Sequence, residues 1–126
     1  MASTFSDRIR LELQANGENS STWGTACNTV FSLIDSSIAG MATIATTGGT
    51  TVLSVNNGTA DESRMAIIKV TGVLVSNATL TIPAETKTYV VWNATTGAYT
   101  VTIGVSGGTG VVVAQGKKAL DRKSVV

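Results

Sequence analysis

After Gly40 the chain falls into apolar and Thr-rich runs of about 4–8 residues, with a turn signal every 8–12 residues or so, and that rhythm limits it to a body of many short strands. The runs cover residues 42–45, 50–55, 64–70, 73–75, 79–82, 87–92, 99–105 and 111–114. Between them lie Gly48-Gly49, Asn56-Asn57-Gly58, Thr71-Gly72, Ser76-Asn77, the segment 93–97 and the Gly-rich segment 107–110. Thr, Val and Ile supply 20, 15 and 8 of the 126 residues, and their stiff β-branched side chains suit a pleated surface. In 79–82, Leu80 and Ile82 share one face and Thr79 and Thr81 the other; Pro83 then ends the run because it has no ladder donor. Runs 87–92 and 99–105 read as the best hairpin. The expectation is a mainly β protein, an antiparallel β-sandwich or barrel-like body with one N-terminal amphipathic helix. No fixed repeat length stands out, so a solenoid is not expected.

The helix belongs to the opening segment. Residues 1–16 read as an arm in which Ile9, Leu11 and Leu13 alternate with Arg8, Arg10, Glu12 and Gln14, the period of a half-buried strand. Gly17 breaks that strand, and the turn-rich NGENSSTWG offers Ser20, Ser21 or Thr22 as a cap. With a helix from Trp23 or Thr25 to Ala39, the residues Cys27, Val30, Phe31, Ile34, Ile38 and Met41 fall on one stripe, with Thr29, Ser32, Asp35 and Ser36 facing away. Gly40 suits a left-handed cap. The units are thus arm 1–16, turn plus helix 17–40 and β body 41–126, within one domain. An isolated helix of this length is unstable in water, so its stripe must dock on the body or on other copies.

Charge excludes several classes. Nine Lys plus Arg stand against eight Asp plus Glu, with no His, and the basic residues are scattered apart from Lys117, Lys118, Arg122 and Lys123 near the end. A nucleic-acid surface needs a basic stripe, so no nucleic-acid partner is expected. No apolar run approaches the ~20 residues of a membrane span, and no signal peptide is indicated. Cys27 is the single cysteine and reads as a buried thiol, outside any disulfide or metal pair. The Asn-x-Ser/Thr triplets at Asn19, Asn57, Asn77 and Asn93 follow from the abundance of those residues.

Candidates for chemistry are few. Without His, acid–base work would fall to Asp61-Glu62, which reads as a turn. Those acids with Asn56 and Asn57 lack calcium-loop spacing. The glycines 104, 107, 108 and 110 are followed by Val111-Val112-Val113, a strand and not the helix a phosphate loop requires. Ser, Thr and Cys27 have no His base in the chain. No catalytic residue, metal site or cofactor is assigned. Tyr89, Trp92 and Tyr99 fall on the best hairpin, either as packing residues or as a surface for stacking on sugar rings.

Gly17-Glu18, Thr22-Trp23-Gly24, Asn28, Leu33 and Ile34 resemble a turn-and-helix motif of tail fibres and other virion appendage proteins of tailed bacteriophages. Residues 64–72, 77–84, 89–102 and 108–117 are similar to small virion proteins of marine and other environmental phages, with NATTGAYTV at 93–101 the most specific stretch. The resemblance implies a structural virion protein on the outer particle surface, a tail-fibre or appendage subunit or a capsid decoration protein. It further implies a homotrimer partnered by other virion proteins, with Trp23, Cys27, Val30, Phe31, Ile34 and Ile38 at the oligomer or attachment interface. The alternative is a carbohydrate-binding adhesin module that recognises host surface glycans through Tyr89, Trp92 and Tyr99. Such proteins continue after Gln115-Gly116-Lys117 with an apolar strand and a turn. This chain runs from Ala119 to Val126 instead, which implies an altered or missing last strand and an edge left for a neighbouring subunit.

Overall fold

The structure, a computed structural model, describes residues 3–122, and side-chain surroundings for residues 3–119. The chain is mainly β with one helix: β1 (Thr4–Phe5), β2 (Glu12–Leu13), α1 (Trp23–Ala39), β3 (Met41–Ala45), β4 (Gly49–Val52), a 3-10 turn (Glu62–Arg64), β5 (Ile67–Thr71), β6 (Ala78–Ile82), β7 (Thr88–Asn93), β8 (Val101–Val105), β9 (Val111–Val113) and β10 (Lys118–Arg122). Beyond the small β1–β2 pair there are two four-stranded sheets, ordered β10-β7-β5-β3 and β4-β6-β8-β9. Neither closes into a barrel.

From β3 to β8 the chain crosses from one sheet to the other at every step, so neighbours in sequence are not neighbours in a ladder. Within each sheet the pairings β3–β5, β5–β7, β4–β6 and β6–β8 are parallel. Met41 pairs with Ile67 and Ile67 with Val90, offsets of 26 and 23 residues. Gly49 pairs with Ala78 and Ala78 with Val101, offsets of 29 and 23. The body is therefore a coil of three two-strand turns. This corrects both the antiparallel expectation and the absence of a solenoid-like repeat. Among the described residues antiparallel pairing is confined to β1–β2, β8–β9 and β10–β7. The repeat is hidden because the first turn carries the long 53–66 segment and the turns share no motif.

Each strand turns alternate residues inward. Ala78, Leu80 and Ile82 of β6 face Ile68 and Val70 of β5 and Tyr89 and Val91 of β7 across one shared core, which Val101, Ile103 and Val113 extend. The Thr residues fill the outward positions, as Thr79 does on β6.

The expected hairpin of 87–92 with 99–105 is instead an arch between sheets. Asn93, fully buried, turns inward: its Nδ2 donates to the Val113 carbonyl (2.7 Å), and its Oδ1 accepts from the Thr95 N–H (3.1 Å) and Oγ1 (2.5 Å). Ala94 and Thr96 donate to the carbonyls of Val70 and Gly72, so the corner stacks on the corner of the turn before. The hairpin in this region is β8–β9, as the Gly-rich 107–110 segment indicates.

Three further expectations change. Residues 4–13 are two short strands joined by a turn, with Arg10 at φ 55 and buried. Gly40 is extended (φ −77, ψ 153), and glycine is needed there for space: a Cβ would meet the Ser36 carbonyl oxygen at 2.6 Å and Met65 Sδ at 2.7 Å. The last strand is present as β10, whose side chains from Leu120 on, like residues 123–126 altogether, lie outside the described residues.

Gly72 marks where two turns touch. Its φ is +116, and a Cβ would collide with the Thr46 carbonyl oxygen of the preceding corner. Gly72→Ala is expected to lower stability by about 1–3 kcal/mol in urea unfolding, the range for forced overpacking.

Candidate assembly face

Helix α1 is seated by the arm and by one side of its own surface. Asn19 Nδ2 donates to Glu12 Oε2 (2.6 Å) and Gln14 Oε1 (3.0 Å), and Gln14 Nε2 donates to Cys27 Sγ (3.4 Å). Thr22 occupies the N-cap without a side-chain capping bond, so no hydroxyl holds the first free amides. Leu33 is the helix's one buried residue. At 3.6 residues per turn, Phe31 and Ile38 lie roughly 140–200° around the helix from Leu33. The body covers one border of the apolar stripe and leaves the other open.

The structure therefore divides the sequence-derived interface residues. Trp23, Phe31 and Ile38 are 63 %, 65 % and 75 % exposed, whereas Cys27, Val30 and Ile34 are half-buried. The thiol expected in the core sits instead in a groove of about 330 Å³ lined by Glu12, Leu13, Gln14, Cys27, Val30 and Phe31. Exposed Leu13 and Met41 lie on β2 and β3, the strands that flank α1 in the chain. Asp35 is the one charged residue in α1. A solvated helix face normally mixes charges of both signs; this one offers rings, methyl groups and hydroxyls. Its chemistry is apolar burial, and covering side chains the size of Phe31 or Ile38 contributes about 1.5–3 kcal/mol each.

The aromatic trio does not form one surface. Tyr89 and Trp92 are three residues apart on β7, which puts them on opposite faces. Tyr89 is 1 % exposed, and its hydroxyl donates to the Ser63 carbonyl at 2.6 Å. Trp92 lies on the outer face with Lys69 on β5 and Lys118 on β10 in register beside it, their ammonium groups 4.3 and 4.5 Å from the ring centroid. A sugar ring would have to displace an ammonium to stack there. Tyr99, 40 % exposed, precedes β8 in the other sheet.

One cluster went unrecognised in the sequence. Asp61, read as a turn residue, caps the 3-10 turn by accepting from the Arg64 N–H (2.9 Å), and it also binds two guanidinium groups. Arg10 Nε and Nη2 donate to Asp61 Oδ2 at 3.2 and 2.9 Å, and Arg64 Nη1 stands 3.6 Å from Oδ1. The carboxylate and the Arg64 side chain are completely buried. Arg64 also donates to the carbonyls of Ile9, Asn56 and Thr59, tying the arm to the 53–66 segment. Burial lowers the Arg64 pKa, with Asp61 opposing and Arg10 adding to the shift. The i, i+3 spacing of Asp61 and Arg64 was the available signal; Arg10 gave none, because its place in an alternating run put it on the solvent side.

Lys87 lies close by, and among the described residues no carboxylate pairs with it. Its Nζ donates to the Met65 carbonyl (2.8 Å) and sits 4.0 Å from the Tyr89 ring centroid. Burial first, then Arg10, push its pKa down from 10.5 to about 8, with Asp61 opposing. A cleft of about 440 Å³ between the arm and the loops has Asp7, Arg10 and Glu85 in its lining. Among the described residues no three His, Cys, Asp or Glu side chains converge as metal ligands. No family model, curated protein or solved structure matches the chain.

Asp61→Asn leaves two buried guanidinium groups without their counter-charge and is expected to cost about 3–5 kcal/mol in chemical denaturation. Lys87 gives a pH signature. Below about pH 8 it is charged in both states and the cost of burying that charge is fully present. Between about 8 and 10.5 the unfolded chain binds more protons, so stability rises with pH through this window. Lys87→Met is expected to flatten that rise in melting temperatures measured across it.

Proposed function

We propose that this chain is a structural subunit of a tailed-bacteriophage virion, a tail-fibre or appendage subunit or a capsid decoration protein, which works through protein–protein assembly. The observation that carries the assembly part is the open border of α1: Trp23, Phe31 and Ile38, largely exposed on a helix with one charged residue. Large apolar side chains grouped on one helix face mark an interaction site, where a monomer would present polar residues. The virion setting and the homotrimer rest on the resemblance of the 17–34 motif and of NATTGAYTV at 93–101. In a trimer the three α1 faces bury one another, with the half-buried Val30 and Ile34 closing beneath them.

Recognition of host glycans by Tyr89, Trp92 and Tyr99 has less support, since one ring is in the core, one stands between two ammonium groups and one belongs to the other sheet.

The test exploits exposure. Phe31→Asp with Ile38→Asp alters side chains the monomer leaves in solvent, so the fold should survive while the mass in light scattering falls to a third. An unchanged mass refutes the role of α1. Mass spectrometry of purified phage particles tests the setting, and a chain missing from them refutes it.

A further inference from the structure

The coil begins with β3 and β4, and among the described residues each has a neighbour on one side only, β5 and β6 respectively. A strand edge without a partner is a row of free N–H and C=O groups, which monomeric proteins blunt with charge, proline or a bulge. This end has no such charge or proline. From Ser36 to Ala60 the chain contains no Asp, Glu, Lys, Arg or Pro. By contrast β10, the edge at the far end of the first sheet, has the sequence KALDR. Met41, Thr43 and Ala45 of β3 and Thr50 and Val52 of β4 are exposed, so no described element covers the outer faces of these strands.

The two edges also come as a pair. They flank one shared core, so they lie about 10 Å apart, the usual spacing of packed sheets. Residues 46–48 form the corner between them, and the chain doubles back across it. An extended peptide satisfies one edge and leaves the other open. A surface that satisfies both must offer two strands of opposed direction at the same spacing. The same end of a second copy does so.

We infer that two copies of this chain pair end to end through β3 and β4. A two-fold axis normal to the sheets sets β3 antiparallel to β3 of the second copy and β4 antiparallel to β4, so that both four-stranded sheets continue across the junction. Such an interface sets residue i of one edge against residue j of the copy and j against i, so only residues at the axis meet their own counterparts, and an uncharged edge brings no like charges together there. The pairing does not use α1 and stands apart from the trimer proposed above.

Thr43→Glu combined with Val52→Glu tests it on the full chain. Thr43 pairs with Lys69 in the ladder, so a carboxylate there is tolerated in the isolated subunit, whereas Thr43 is the middle residue of β3 and a junction centred on that strand would bring two carboxylates together. The expected result is a light-scattering mass half that of the unsubstituted protein, with unchanged circular dichroism and faster amide exchange in β3 and β4. Equal masses, or equal exchange rates in both strands, overturn the inference. If the double variant loses its circular dichroism, Thr43→Glu alone decides by the same readouts. The α1 variant separates the two interfaces: it lowers the mass to a third and leaves β3 and β4 protected.

Discussion

One buried carboxylate decides how the two parts of this protein are joined. Asp61 faces Arg10 from the arm and Arg64 from its own turn, and one carboxylate is shared by both guanidinium groups. Two cations and one anion out of water are held by directed hydrogen bonds: Arg10 also reaches the Arg8 carbonyl and Ser63 Oγ, and Arg64 reaches carbonyls of the arm and of the 53–66 segment. Such a cluster adds little net stability against a hydrophobic equivalent, but it tolerates little change of geometry. The arm therefore has one seat on the coil, and α1, tethered through Asn19 and Gln14, takes its orientation from that seat.

The sequence revealed elements more readily than their connections. The period of α1 runs unbroken to Gly40, and the strands are set off by Gly, Asn and Pro, so both are local signals. Pairing is not local. A five-residue linker such as 93–97 fits a hairpin or an arch equally well, and the outcome turns on whether Asn93 points to solvent or into the core. Burial of an Asn that bonds a strand twenty residues away leaves no local trace. The separation of Tyr89 from Trp92 was legible, since an odd offset along a strand always changes face.

The interface residues show the same division. A helical stripe identifies which side chains are apolar, but not how much of the stripe its own body covers. Here the coverage is lopsided: Leu33 is inside while Phe31 and Ile38 are out. The physical cause is placement, because α1 lies beside the 3-10 turn at a corner of the coil and not across a sheet face.

The parallel coil also sets an order of events. Its ladders join residues 23 to 29 positions apart, so no strand between β3 and β8 meets a partner until a complete turn has been wound. The β8–β9 hairpin is different, closing over residues 106–110. Hairpins of this kind form in about 1–10 μs, well ahead of pairings that must first close long loops. Winding then proceeds most readily from the carboxyl-terminal hairpin back toward the amino terminus, and the arm and α1 settle last, on a coil already built. The apolar border of the helix is thus presented only by a finished subunit, and partly wound chains have no such face with which to enter an assembly.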